Sequence, residues 1–173
     1  MAIWNKNDRD YLNQERSLFE VVGVASSDGG QRFPILGVGL RAGEPYQRGD
    51  MQIQAVQISD LGNVNAQQTG VYFWQLLFNP TISGTLPASL NIGKTSRHYE
   101  YTSANTVSGG IELMCGYFNN ATTVDVRTSL NFLNMGSDLT YNSPDLVVLA
   151  VTELLGGSGS GKIIALTNII ENL

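Results

Sequence analysis

Acid–base or nucleophilic chemistry in this chain would have to run through His98 or Cys115, its one histidine and its one cysteine. A Ser-His-Asp or Cys-His triad needs an imidazole to carry the proton, so either would use His98. A zinc site built from several Cys and His ligands is excluded within one chain, and so is a disulfide framework. His98 lies in Arg97-His98-Tyr99-Glu100-Tyr101. In a strand His98 and Glu100 share a face, which would let the carboxylate assist the imidazole. A structural or solvent-facing histidine on a hairpin is the reading adopted. Cys115, among the apolar residues of Ile111–Tyr117, reads as a buried and inert thiol.

The remaining motifs fail on their chemistry. Gly156-Gly157-Ser158-Gly159-Ser160-Gly161-Lys162 matches the glycine-lysine core of a phosphate-binding loop. The following Ile163 stands where a Ser or Thr hydroxyl would hold Mg²⁺, and the β-branched run after it is not a helix start. The segment therefore reads as a flexible Gly-Ser hairpin loop. Arg48-Gly49-Asp50 is turn chemistry. Asn120-Ala121-Thr122 is a glycosylation sequon, but Met1–Asp10 does not look like a secretion signal, so cytoplasmic synthesis is expected. The acids are spread singly, with no calcium loop and no evident carboxylate pair. The expectation is no catalytic residue, no cofactor, no metal and no enzyme.

Composition narrows the partners. The chain has 173 residues, with 10 Lys and Arg against 15 Asp and Glu, a net charge of −5. Nucleic-acid binding needs a basic stripe, which this balance disfavours. No stretch approaches the length of a membrane helix. Charged residues make up 14 % of the chain, against roughly 25 % in ordinary soluble domains. A neutral polar surface of this kind suits a protein covered by neighbours.

The elements that would position these residues are strands. Residues 1–17 form a separate N-terminal arm, in which Trp4, Arg9 and Tyr11 are candidate anchors on a partner; a frayed terminus or a short surface helix is the bland alternative. From residue 18 to 173 the pattern is one β domain. Leu18–Ala25 is β-branched and ends in the Ser26–Gly30 turn signal. Phe33–Leu40 contains Pro34, which confines that part to an edge or a strand start. Met51, Ile53 and Ala55 alternate with polar residues, then the phase slips to Val56 and Ile58, as a β-bulge requires. Val71–Phe78 and Leu146–Val151 are apolar on both faces and read as central strands. Val124–Phe132 alternates with one wet face. Lys162–Ile170 is a final strand or a short helix. The fold class is all-β, an antiparallel β-sandwich of jelly-roll type.

Between Met51 and Gly93 the one charged side chain is Asp60. This reads as a subunit interface through Tyr72, Phe73 and Trp74, since interface centres lack charge and favour aromatics. A closed homotrimer would cover such a surface. A core sheet with neutral loops explains the same count.

Three phrases carry a resemblance. Phe73-Trp74-Gln75-Leu76-Leu77-Phe78-Asn79-Pro80-Thr81-Ile82-Ser83-Gly84-Thr85 resembles a segment of structural proteins of tailed bacteriophages, those infecting cyanobacteria included. Ser103-Ala104-Asn105-Thr106-Val107-Ser108-Gly109-Gly110 and Asp145-Leu146-Val147-Val148-Leu149-Ala150-Val151-Thr152 are similar to later segments of the same group. The ending Leu166–Leu173 departs from the Trp-Arg-Glu-Leu-like close of that group. The resemblance implies a virion component of the capsid decoration or cement type. Its implied partners are the major capsid protein and further copies of itself. Its implied place is the capsid surface, reached from the host cytoplasm during assembly. A receptor- or carbohydrate-binding module of a tail fibre is the alternative, and would present clustered aromatics on an exposed face.

Overall fold

A computed structural model of the chain describes residues 14–24, 31–40, 50–60, 71–85, 89–91, 96–102, 104–119, 121–125, 145–155 and 161–172. Trp4, Arg9 and Tyr11 lie outside the described residues. The strands are β1 (Gln14–Val24), β2 (Arg32–Leu40), β3 (Asp50–Asp60), β4 (Val71–Phe78), β5 (Thr81–Ser83), β6 (Ser89–Asn91), β7 (Ser96–Glu100), β8 (Thr106–Ser108), β9 (Ile111–Phe118), β10 (Ala121–Asp125), β11 (Leu146–Leu155) and β12 (Gly161–Asn172).

Pairing is nested. β1 pairs with β12, β2 with β11, β3 with β10 and β4 with β9, all antiparallel. The chain thus runs out along four strands and returns along four, like one long hairpin. Rolling that hairpin places alternate pairs in opposite sheets: β1-β12-β3-β10 in one, and β2-β11-β4-β9 within the other. β12–β3 and β11–β4 contacts join the pairs inside each sheet. This is the jelly-roll winding. An insertion between β4 and β9 supplies the rest. Its β6–β7 hairpin extends the second sheet beyond β2 to six strands, while β5 and β8 form a small sheet of their own.

One core lies between the two sheets. Ile53, Val56, Ile58 and Ile163 come from the four-stranded sheet, and Phe33, Ile35, Val38, Tyr72, Trp74, Leu76, Val147, Leu149 and Val151 from the other. Strand alternation explains the selection: in β4 Tyr72, Trp74 and Leu76 are buried, while Phe73 and Gln75 are half-buried on the opposite face. Residues 147–151 are all buried. Val147, Leu149 and Val151 enter the main core, and Ala150 joins Leu77, Val107 and Ile82 in a second cluster. β11 is the central strand its composition suggests.

Register shifts account for the irregular residues. Ile53 pairs with Ile169 and Ala55 with Asn168, so Gln54 is the extra residue of a bulge at the expected slip of phase. Pro34 sits where Ala150 pairs with it and Leu149 with Leu36, leaving Ile35 as the bulge. β7 flanks β2 only from Leu36 to Leu40, so Pro34 stands near the strand start, where no β7 acceptor needs its missing N–H.

Several expectations need correction. β1 begins at Gln14, with Ser17 opposite Asn168, ahead of the expected Leu18. β12 runs from Gly161 to Asn172 as a strand between β1 and β3, which removes the helix alternative. The Gly-Ser segment 156–160 lies outside the described residues; the strands on either side of it, β11 and β12, belong to different sheets and so do not pair as a hairpin. Lys162 lies in a strand opposite Gly23, not at a helix start. β3 and β4 each supply core residues, so within Met51–Gly93 the low charge of these two strands has a cause inside this chain, and residues 61–70 lie outside the described residues. Of the Val124–Phe132 pattern, β10 contains Val124 opposite Val56, and residues 126–132 lie outside the described residues.

Candidate functional site

The chemistry-bearing residues do not converge. His98 lies mid-strand in β7, opposite Val38 and Leu90, and Glu100 stands opposite Leu36. Cys115 is on β9, two strands beyond β11. Among the described residues no group of three His, Cys, Asp or Glu side chains is placed to hold a metal ion.

What converges is a polar clasp that holds the insertion. Asn79 has φ 48, a left-handed backbone that Asn tolerates better than other side chains. Its backbone N–H donates to the Leu146 carbonyl at 2.7 Å. Its Nδ2 donates to Asp145 Oδ1 at 2.8 Å, and its Oδ1 accepts from the Leu146 N–H at 2.8 Å. The other end of the insertion passes beside it. A Cβ on Gly110, at φ 81, would stand 3.0 Å from the Phe78 carbonyl and from Pro80. Only glycine allows both that backbone and that approach.

Asn105 is the second half of the clasp and is 1 % exposed. Its Nδ2 donates to the carbonyls of Ser83 at 3.2 Å and Thr85 at 2.9 Å. Its Oδ1 accepts from the Thr102 N–H at 3.0 Å and the Thr102 hydroxyl at 3.2 Å. Both amide donors and both lone pairs are therefore used. The clasp seats β5 and β8 over the second cluster, where Ile82 and Val107 cover Leu77 and Ala150. Tyr101 closes over Gly37, where an added Cβ would lie 2.7 Å from the phenolic oxygen. Burial, and then the neighbouring Tyr99, push the Tyr101 phenol well above its ordinary range. The insertion therefore covers part of the outer face of the six-stranded sheet.

The β4–β9 part of that face carries a different surface. Phe73 and Tyr117 meet at 5.0 Å between ring centroids, tilted by 42°, and Tyr117 is 70 % exposed. Beside them Gln75 Nε2 donates to Glu112 Oε2. That bond, and then one from the Cys115 thiol, hold the Glu112 carboxyl below its ordinary value, with Arg32 adding a smaller push. The same bond raises the Cys115 thiol. Cys115 is exposed, correcting the buried reading: it alternates outward on an edge strand, opposite Gln75. It is nonetheless kept as the neutral thiol, the less nucleophilic form.

The three aromatics expected at a subunit interface divide by strand alternation. Tyr72 and Trp74 point into the core, where Tyr72 stacks on Phe118 at 5.1 Å, so they are not available to another subunit. Phe73 alone faces outward. Sequence reasoning singled out neither Asn79 nor Asn105 as a positioning residue. Their signals were the Asn-Pro step and the Asn ahead of the Gly-Gly pair, both easily taken for plain turn residues.

No protein-family profile matches the chain, and no curated protein matches it. Among solved structures, the decameric BFDV capsid protein is similar at 9 % identity and a TM-score of 0.32, covering 94 % of this chain and 98 % of that one. The 60-mer BFDV capsid protein is similar at 8 % identity and a TM-score of 0.28, covering 93 % and 91 %. Likenesses this slight bear on neither activity nor partner. The jelly roll rests on the strand pairing itself.

Proposed function

We propose that the protein is a virion structural protein of the decoration or cement type, one that binds the major capsid protein shell and stabilises it without chemistry. The observation that supports this reading is the clasp. The three phrases that resemble tailed-phage structural proteins lie far apart in the chain, yet Asn79, Asn105 and Asp145 come one from each, and together they fasten the insertion. The resemblance thus falls on residues with a shared architectural task. Jelly rolls are also among the architectures that viral capsid domains use. A cement acts by linkage: binding only the assembled lattice shifts the equilibrium toward it. Self-association, as a closed trimer, belongs to the reading; Tyr72 and Trp74 are buried, so of the three aromatics only Phe73 could lie at its contacts. The test is copy number in purified particles. Hundreds of copies on the shell support the reading, and a handful at the tail overturns it.

A second reading is favoured by the exposed Tyr117 ring beside Phe73, with the Gln75–Glu112 pair adjacent. An aromatic face with hydrogen-bonding groups at its border suits a sugar ring, as a receptor- or carbohydrate-binding tail module would need. Glycan binding that Tyr117→Ala abolishes, by protein located at the tail, would establish it in place of the first.

A further inference from the structure

We propose that the edge of β9 pairs antiparallel with the same edge of a second copy, Gly116 opposite Gly116, so that two six-stranded sheets become one. The inference comes from comparing the outer edges of both sheets. An unpaired edge strand is a template for association, and proteins that stay apart blunt it with short length, charge or proline. β6 has 3 residues and β10 has 5. β1 is long but carries Glu15, Arg16 and Glu20. β9 has 8 residues, IELMCGYF, with Glu112 as its one charge and no lysine or proline. Two of the three exposed large hydrophobics among the described residues, Ile111 at 65 % and Tyr117 at 70 %, lie on it. Among the described residues no strand pairs with its outer side.

The register follows from a bulge. Met114 pairs with Leu76 and Glu112 with Leu77, so Leu113 is the extra residue, and the regular part of the edge runs from Met114 to Phe118. Gly116 is its centre. A two-fold axis through that point places Cys115 opposite Tyr117 of the second copy on the outer face. On the core face it places Met114 opposite Phe118 of the second copy. The segment is self-complementary, with a sulfur beside an aromatic ring at four positions, and it contains no charge. Each Glu112 falls beyond the seam. The two carboxylates lie about 27 Å apart along the strands, further than the Debye length of about 8 Å at physiological salt. A second copy fits this edge better than an unrelated peptide because the sulfur-bearing half of the segment is complementary to its own aromatic half about Gly116. The seam is short, so association is at the weak end. The inference does not depend on the virion reading.

The experiment uses the purified full chain. Sedimentation velocity from about 10 μM to about 1 mM, the range in which weak pairs form, should show a concentration-dependent monomer–dimer shift. In the proposed register the Cys115 residues are diagonal neighbours, about 7–8 Å apart, so a short bis-thiol reagent should yield a covalent dimer through the only cysteine. Tyr117→Lys should abolish both signals. Cys115→Lys, at another exposed site, should abolish the sedimentation shift. Leu154→Lys, on β11 and away from the seam, should leave both intact. Circular dichroism confirms that each variant folds, and the wild-type result stands by itself if one does not. A chain that remains monomeric to about 1 mM, a dimer indifferent to both seam variants, or outer-edge β9 amides fully protected from exchange in the monomer would each overturn the proposal.

Discussion

Replacing Asn105 with Ala removes one side-chain amide and with it four hydrogen bonds, to Ser83, Thr85 and twice to Thr102. A neutral hydrogen bond contributes about 0.5–1.5 kcal/mol net, so four suggest an upper bound near 6 kcal/mol. Ser83, Thr85 and Thr102 are exposed, so water can replace part of what their groups lose. The expected loss is therefore about 2–3 kcal/mol, or roughly 5–10 °C in Tm for a chain of this size. The loss should begin locally, because Asn105 fastens only β5, β8 and the Thr102 turn. Amide exchange at Ile82 and Val107 should accelerate at conditions where residues 147–151 remain protected. Asn105→Asp separates the donors from the acceptors. It keeps Oδ1 but sets a carboxylate against the Ser83 and Thr85 carbonyls, which favours the protonated form and raises the folded-state pKa above the unfolded value of about 3.9. An acid with a raised folded pKa is most stabilised below the unfolded pKa and loses that stability as pH rises through the folded one. The Asp variant should therefore approach wild type below about pH 4 and fall furthest behind it near neutrality. Chemical denaturation across pH, with exchange mass spectrometry, measures both effects. A change within about 0.5 kcal/mol for Asn105→Ala, with exchange at Val107 unaltered, would refute the clasp.

Other outcomes follow from single contacts. Gly37→Ala should cost about 1–3 kcal/mol in a thermal melt. Tyr101→Phe should recover only part of that, because the ring carbons as well as the oxygen crowd the new Cβ. Glu112→Gln should lower the pH midpoint of Cys115 alkylation, since the Glu112 bond is the main cause of the raised thiol pKa. Lys162→Ala should leave calorimetry with ATP and Mg²⁺ as flat as in wild type, because that lysine lies in β12 opposite Gly23. Deleting residues 1–13 should leave the melting transition in place, because β1 begins at Gln14. It should weaken occupancy on undecorated capsids if Trp4, Arg9 and Tyr11 are the anchors.

Strand identity was readable in the sequence because burial leaves a periodic trace. Val71–Phe78 and Leu146–Val151 carry apolar residues on both faces for the reason that both strands are central, and the slip between Ala55 and Val56 records a bulge. Pairing partners left no such trace. Nothing in Gly156–Gly161 tells a hairpin from a crossing between sheets, since glycine and serine permit either, and the distinction depends on where β12 finds its neighbours. Exposure of an edge strand is equally silent. Cys115 sits among apolar residues and looks buried, yet β9 is the last strand of its sheet and Cys115 alternates outward. Tyr72, Phe73 and Trp74 show the same limit: three consecutive aromatics cannot share a face, and the outward one could be chosen only once the phase of β4 was known.

The clasp and the open edge are two consequences of one insertion. Residues 79–110 leave the sheet at the end of β4 and return at the start of β9, and the turn chemistry at Asn79 and Gly110 brings those ends together. Folding back over Leu77 and Ala150, the insertion buries part of the outer face, and its β6–β7 hairpin occupies the far edge beside β2. What it leaves uncovered is β9 and the Phe73–Tyr117 pair next to it. A chain this poor in surface charge has little electrostatic protection against association. Among the described residues two of the three exposed large hydrophobics lie on β9, so in the proposed pairing that strand decides how copies meet. Loosening the clasp would expose Leu77 and Ala150 and add a second apolar patch, so Asn105 governs which surface is offered as well as how stable the fold is.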